Sequence, residues 1–153
     1  MSPHRSLVTS TERTVSMTAI TTATRSGSGL LRYAMRLDAV LVGITGIPFV
    51  VAPGWLASLT GMPTGVELGL GIFFLAYGPT VYWLAGRERV RPGAIATITA
   101  NALFTVGFVA AEVAGIWPLT GWGVALLLGG ALYTAVIGSV QYAGLRAYAA
   151  ANG

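Results

Sequence analysis

The sequence predicts an all-α protein, a bundle of four transmembrane helices with both termini in the cytoplasm. Three observations predict this fold class. Apolar residues make up 54% of the 153 residues and charged residues only 9%, whereas soluble domains carry about 25% charged residues. The apolar residues form four long runs, and the arginines that flank these runs lie on one side of them. A soluble surface needs far more charge than this chain has, so lipid is the expected solvent.

Residues 1–29 differ from the rest of the chain, and residues 30–153 are expected to form the four-helix domain. Nearly half of the N-terminal segment is Ser or Thr, and it has too little apolar area to offset the entropy of ordering it. We therefore expect a disordered cytoplasmic tail. Its composition is also typical of an organellar transit peptide. Met17 and Met35 are alternative starts, so whether residues 1–16 or 1–34 belong to the true start stays open.

Four apolar runs follow the tail, and each has about 20 residues or more. At about 1.5 Å per residue, such a run crosses the hydrocarbon core of about 30 Å. A buried helix of a soluble protein shows a polar stripe, which these runs lack. The predicted spans are residues 37–56, 66–85, 94–117 and 122–145.

The placement of arginine predicts the orientation of the spans. The two outer loops, residues 53–65 and 118–121, contain no basic residue. Loops and flanks that carry arginine stay in the cytoplasm, so both termini are expected there. The basic residues that decide this are Arg32, Arg36, Arg87, Arg89, Arg91 and Arg146. Tryptophans that fall at the opposite edge are typical of interfacial anchors, and they are Trp55, Trp117 and Trp122.

Rows of small residues predict where the helices pack closely, because lipid-embedded helices associate where their backbones can approach each other. The rows are Gly61, Gly65 and Gly69, then Gly107, Ala111 and Gly115, and finally Gly130, Thr134 and Gly138. Packing within the chain is the simpler interpretation of these rows, and a homodimer is the alternative.

A short internal similarity links the two halves of the bundle. Thr64–Gly65 is followed by Tyr77, and Thr120–Gly121 is followed by Tyr133, in both cases thirteen residues after the threonine. As a repeat, this similarity would relate the first helical hairpin to the second with the same topology.

Few polar residues lie inside the predicted spans, and these are the candidate site residues. An ionisable or amide side chain in a spanning helix is costly, so it usually faces the bundle and has a partner. The rise per residue of an α-helix places four of these side chains in the cytoplasmic third of the membrane, where they could form one polar network. Asp38 lies at the cytoplasmic end of the first span. The members of the network are Arg36, Asp38, Asn101 and Gln141, and Tyr77 and Tyr133 are further hydroxyl donors. We consider two interpretations, a binding site and a set of interhelical contacts that only hold the helices together.

Glu112 lies far along the third span, near the outer interface and Trp117. It is a candidate for a proton-linked carboxylate. The alternative is a side chain that reaches the water among the lipid headgroups.

Several kinds of chemistry are excluded by composition. Cys and Lys are absent, and the single histidine, His4, lies in the tail. Disulfides, Cys-ligated or intramembrane His-ligated metal sites and phosphate loops are therefore excluded. Three arginines in one tight loop are too small a footprint for nucleic acid. We find no catalytic motif and expect no enzyme activity, no cofactor and no metal.

Short motifs in the spans resemble those of a known group of proteins. The motifs are Arg36-Leu-Asp38-Ala39, then Gly43 and Gly46, then Ala100-Asn101-Ala102-Leu103, and Gln141-Tyr-Ala-Gly144-Leu-Arg146. Over residues 31–147 the chain resembles small uncharacterised four-helix integral membrane proteins common in high-GC Gram-positive bacteria, and more loosely the DoxX-like four-helix proteins. The resemblance implies the four-helix architecture, and its motifs include the four members of the predicted network. It implies no activity.

Three functional hypotheses follow. The first is a non-enzymatic structural or accessory component of the bacterial plasma membrane, in contact with lipid and with a membrane-protein partner or a second copy. The second is a small transporter or hydrophobic-ligand binder that uses the polar network. The third is a subunit of a larger respiratory or export complex. A transporter needs a cavity that contains the polar groups, whereas a structural protein would satisfy them with one another in a dry bundle.

Overall fold

The computed structural model describes the backbone of residues 4–152 and the side chains of residues 28–152. Within this part of the chain every regular element is a helix, so the predicted all-α class is confirmed. The five helices are α1 (His4–Val51), α2 (Pro53–Thr60), α3 (Thr64–Gly86), α4 (Val90–Val113) and α5 (Gly121–Asn152).

Four of these helices are long and apolar enough to cross a membrane, as the sequence predicts. A helix of 23 residues such as α3 is roughly 35 Å long, which exceeds the hydrocarbon core of about 30 Å. The four apolar stretches are Ser28–Val51, Thr64–Gly86, Val90–Val113 and Gly121–Asn152. The architecture is therefore compatible with a multi-pass membrane protein.

Residues 1–29 are predicted to be a disordered tail. The side chains of residues 1–27 lie outside the part of the chain that the structure describes. His4 belongs to the same segment. This expectation stays a prediction.

The first predicted span, residues 37–56, extends too far at its C-terminal end. α1 ends at Val51, and the short helix α2 occupies part of the region predicted as an outer loop. Pro53 is the physical reason, because proline disfavours helical backbone in the residue before it but suits the first turn of a new helix. Ala52 accordingly leaves the helical region, with φ −137° and ψ 52°.

The third predicted span also extends too far, because α4 ends at Val113 rather than at Trp117. Gly115 adopts a left-handed conformation with φ +57°. Its amide donates to the carbonyl of Glu112 at 3.0 Å, and the next amide, that of Ile116, donates to Ala111 at 3.2 Å. These two hydrogen bonds close the helix in the pattern of a Schellman motif, which glycine favours. Gly115 was therefore the residue in the sequence that indicated the end of α4.

The long helices pack as two hairpins, α1 with α3 and α4 with α5, joined along α1 and α5. α3 and α4 meet only sparsely. The guanidinium of Arg32 donates to the carbonyls of Ala85 at 2.5 Å and Glu88 at 3.3 Å, which holds α1 beside the end of α3. One end of the bundle, called here the Arg end, carries Arg32, Arg36, Arg87, Arg89, Arg91 and Arg146. The other end, the Trp end, carries Trp55, Trp117 and Trp122.

Glycine permits the close contact between α1 and α3. A Cβ atom at Gly78 would lie 2.7 Å from the carbonyl oxygen of Ala39 and 3.0 Å from the Cα of Gly43. No other residue fits there without separating the two helices. This contact lies beside Asp38 and Tyr77 in the sequence, so it fixes the distance between the helices at the level of the candidate site.

The predicted rows of small residues differ in whether they contact another helix. On α5, Gly130 faces the ring of Phe108 on α4, so this row packs within the chain as the simpler interpretation proposed. On α3, Gly65 and Gly69 face open space. α1 instead contacts the face of α3 that carries Gly71, where a Cβ atom would lie 2.6 Å from the Cβ of Phe49.

The bundle is apolar outside and partly polar inside. Leu103, Val113 and Leu132 are 68%, 83% and 67% exposed, whereas Asp38 and Gln141 are fully buried. This distribution is the reverse of that in a soluble protein and is what a lipid environment favours.

The most tightly packed part of the interior lies at the Arg end. Its fully buried apolar side chains include Leu31, Met35, Ala85, Val90 and Ala94. Toward the Trp end the helices surround a cavity instead. The interior is therefore closed at one end and hollow at the other.

Candidate functional site

Asp38 is the centre of a buried polar cluster that joins the four long helices. Its Oδ2 atom accepts hydrogen bonds from the hydroxyl of Tyr77 at 3.1 Å and from the amides of Gln141 at 3.1 Å and Asn101 at 3.4 Å. Its Oδ1 atom accepts one from the hydroxyl of Tyr133 at 2.9 Å. The Asn101 amide also donates to Oε1 of Gln141 at 3.0 Å. We call these five residues the Asp38 cluster, and it contains three of the four predicted network residues.

Helix register explains why the cluster forms. Tyr133 and Gln141 lie eight residues apart on α5, so they point to the same side of that helix. Tyr77 and Tyr133, the two tyrosines of the internal similarity, bind different oxygens of the same carboxylate. The two hairpins thus present matching hydroxyl groups to Asp38.

Arg36, the fourth predicted member, lies outside the cluster, and its inclusion was wrong. Its side chain is exposed, and its guanidinium carbon lies 5.7 Å from the centre of the Tyr82 ring. Residues two apart in a helix point to nearly opposite sides, so Arg36 and Asp38 cannot both face the bundle. All four donors to Asp38 are neutral side chains.

The cluster lies deeper than the sequence estimate placed it. Asp38 is ten residues, or roughly 15 Å, from the start of its apolar stretch at Ser28. Asn101 is eleven residues, or roughly 16 Å, from the start of α4 at Val90. Asp38 is therefore close to the middle of its apolar stretch and Asn101 to the middle of α4, because both of these begin earlier than the predicted spans.

A cavity of about 440 Å³ extends from the Asp38 cluster toward the Trp end. Its wall is mainly aromatic and aliphatic, with side chains from all five helices. Its apolar lining residues include Phe73, Phe74, Phe104, Phe108 and Leu127. Tyr77, Asn101 and Tyr133 are polar lining residues, so the cavity reaches the groups that bind Asp38.

Glu67, in the first turn of α3, is a second acidic residue at the cavity wall. It is 1% exposed, and its Oε1 atom accepts a hydrogen bond of 2.5 Å from the hydroxyl of Thr60. Its Oε2 atom is buried and has no hydrogen-bond partner within the described residues. Ten residues, or roughly 15 Å of helix, separate Glu67 from Tyr77. The cavity therefore has a polar group at each end.

Sequence reasoning missed Glu67 as a site residue, because it lies at the very start of the second predicted span, where depth in the membrane is smallest. Thr60, seven residues before Glu67, was a usable sequence signal, because its hydroxyl can donate to the carboxylate. Thr60 ends α2, and the left-handed Gly61, with φ +79°, turns the chain so that this hydroxyl faces α3. The turn depends on Thr120, whose amide donates to the carbonyl of Thr60 at 2.9 Å.

Phenylalanine side chains bridge the sparse contact between α3 and α4. The ring centres of Phe73 and Phe104 are 5.2 Å apart, and those of Phe74 and Phe104 are 6.2 Å apart. We call this line of contact the α3–α4 seam. It is the place where the cavity wall consists of side chains rather than of closely packed backbone.

Glu112, the predicted proton-linked carboxylate, is half-buried in the last turns of α4. It is not among the residues that line the cavity. The proposed proton-linked role stays a prediction.

The site offers hydrogen-bonding groups around an apolar space. Within residues 28–152, no three His, Cys, Asp or Glu side chains gather as a metal site would require. Comparison of the chain with protein-family models, with curated proteins and with solved structures gives no match.

Proposed function

We propose that this chain is a multi-pass protein of the bacterial plasma membrane that binds a small, mainly apolar molecule in the cavity between its helices. Its role is binding, or transport that begins with binding, rather than catalysis. The cavity volume of about 440 Å³ falls within the range of about 300–1,000 Å³ typical of small-molecule sites.

The polar end of the cavity is the observation that carries this proposal. Small-molecule sites combine apolar walls with a few well-placed polar groups. Tyr77, Asn101 and Tyr133 belong both to the cavity wall and to the Asp38 cluster. Their positions are fixed by hydrogen bonds between helices, so a ligand meets groups that are already oriented.

A route from the lipid also supports the proposal. The α3–α4 seam is closed by the rings of Phe73 and Phe104, which can rotate without breaking a hydrogen bond. An apolar molecule dissolved in the bilayer would enter between these helices rather than from water.

A structural or accessory role is the second candidate, and the mutual hydrogen bonding of the Asp38 cluster favours it. Hydrogen bonds between membrane helices contribute about 0.6–2 kcal/mol each, so the cluster can hold four helices together without a ligand. In that case the cavity would show no saturable binding. The following experiment separates the two candidates.

A cavity-filling substitution tests the proposed function. We expect aminoanthracene, a small aromatic fluorophore, to bind the protein in phosphatidylcholine nanodiscs with a saturable rise in fluorescence at one site per chain. Leu127→Trp changes a buried residue of the cavity wall. Because the larger side chain occupies part of the cavity, we expect binding to weaken by about tenfold or more.

Leu132→Trp is the matched control, because Leu132 lies five residues later on the same helix and is 67% exposed. It should bind aminoanthracene as the wild type does. Equal affinity of the two variants, or a wild-type signal no larger than that of empty nanodiscs, would contradict the proposal and favour a structural role.

We further propose that both termini lie in the cytoplasm, because the flanks and the loop with arginine are together at the Arg end. A green fluorescent protein fused after Asn152 should fluoresce in bacterial cells, and alkaline phosphatase fused at the same point should be inactive. Active phosphatase with a dark fluorescent fusion would reverse the orientation.

A further inference from the structure

The carboxylate of Glu67 has an acceptor site that the described part of the chain does not use. Thr60 donates to Oε1, but Oε2 is buried without a hydrogen-bond partner in the described part of the chain. Asp38 differs, because both of its oxygens accept hydrogen bonds from the protein. A buried carboxylate oxygen without a donor is unfavourable, so a group that supplies one would be held at this position.

The charges around Glu67 favour a positively charged donor. The outer connections at the Trp end, residues 53–65 and 118–121, contain no basic residue. The arginines with described side chains lie at the Arg end, so none competes for Glu67. Glu112, in the last turns of α4, adds a second negative charge at the Trp end. A carboxylate in an apolar wall, with no cation nearby among the side chains of residues 28–152, is suited to an ammonium group.

The rest of the cavity sets the character of the attached molecule. Aromatic side chains form much of the wall, and Phe104 and Phe108 have ring centres 5.4 Å apart. Such rings pack well against another ring and attract a nearby cation. The roughly 15 Å of helix between Glu67 and Tyr77 limits the length of the ligand.

We propose that the cavity recognises an apolar, aromatic amine whose protonated amino group binds Glu67. This inference rests on the proposed function and adds the chemical class of the ligand. The N–H groups donate to Oε2 after a rotation of the flexible Glu67 side chain, while Thr60 continues to hold Oε1. The aromatic body lies among the phenylalanines, and the Asp38 cluster closes the far end of the space.

Competition with aminoanthracene tests this assignment. Naphthylethylamine and naphthylethanol have the same apolar body and differ in the amino or hydroxyl group. In phosphatidylcholine nanodiscs, with empty discs as the blank, we expect the wild type to bind the amine about tenfold more tightly than the alcohol. Glu67→Gln keeps the acceptor for Thr60 but removes the charge, so the two compounds should then bind about equally.

Glu112→Gln is the matched control, because it removes the same charge at the same end of the bundle outside the cavity wall. It should keep the preference for the amine. The arylamine of aminoanthracene is uncharged at neutral pH, so its binding does not need the charge of Glu67 and shows for each variant that the cavity is intact. The comparison of amine and alcohol on the wild type tests the amine preference without any variant. If Glu67→Gln does not fold, Asp38→Asn locates the amine, because it should keep the preference if Glu67 is the binding group and lose it if Asp38 is.

The possible failures are distinguishable. A wild type that binds aminoanthracene but does not distinguish the amine from the alcohol would overturn the amine assignment and leave the proposed function intact. A preference that persists in Glu67→Gln would overturn the assignment to Glu67, and its loss in Asp38→Asn would show that the amine binds at the Asp38 cluster instead. A wild type that does not bind aminoanthracene would overturn the proposed function as well.

Discussion

Asp38→Ala is expected to destabilise the protein by about 2–4 kcal/mol, a large effect for one polar residue in a membrane bundle. The substitution removes the common acceptor of four interhelical hydrogen bonds and leaves their donors buried. Asp38→Asn keeps one acceptor oxygen and should lose less. The measurement is reversible unfolding in detergent, followed by circular dichroism.

Ser139→Ala is the control for this prediction. The hydroxyl of Ser139 is exposed and donates to the carbonyl of Ala135 on its own helix, so its loss breaks no contact between helices. It should change stability by less than about 0.5 kcal/mol. If Asp38→Ala and Ser139→Ala proved equally stable, the Asp38 cluster would not hold the helices together.

Gly123→Ala is expected to destabilise the protein by about 3 kcal/mol or more, because its methyl group would overlap a backbone atom that cannot move aside alone. A Cβ atom at Gly123 would collide with the carbonyl oxygen of Thr60. That carbonyl also accepts the amide hydrogen bond of Thr120 at 2.9 Å. Separation of α2 from α5 would displace Thr60 and so release Glu67. Unfolding and aminoanthracene binding should both reveal the damage, as lower stability and weaker affinity.

Gly129→Ala is the matched control on the same helix, because a Cβ atom at Gly129 meets nothing within 4 Å. It should unfold as the wild type does; Gly129 lines the cavity, so only the stability of this variant serves as the control. A Gly123→Ala protein as stable as Gly129→Ala would show that α2 is not anchored on α5.

The polar cluster was largely predictable from the sequence, for a physical reason. Asp38, Asn101 and Gln141 are rare in apolar spans, and a buried polar group in lipid needs a partner, so their meeting follows from few alternatives. Arg36 was wrongly included because the prediction used the depth of each residue along the helix and ignored the direction in which its side chain points from the helix axis. Positions two apart in a helix differ by slightly more than half a turn, which puts the Arg36 side chain outside the bundle.

The cavity and the role of Glu67 could not be predicted in the same way. A cavity arises where helices fail to meet, and the sparse contact of α3 with α4 depends on tilt and on the size of facing side chains. No pattern within one helix contains that information. Glu67 is bound by Thr60 only because the chain folds back at Gly61, and the helix that precedes it was expected to be a loop.

The division of the bundle into two firmly packed pairs has a mechanical consequence. α1 and α3 are locked by the contact of Gly43 with Gly78, and α4 with α5 by that of Phe108 with Gly130. The sparse α3–α4 seam is therefore where the two pairs would separate most easily, with the contact between α1 and α5 as the hinge. Such a separation would widen the cavity for larger ligands. The hydrogen bonds of Asp38 to the other three long helices would limit how far the pairs separate.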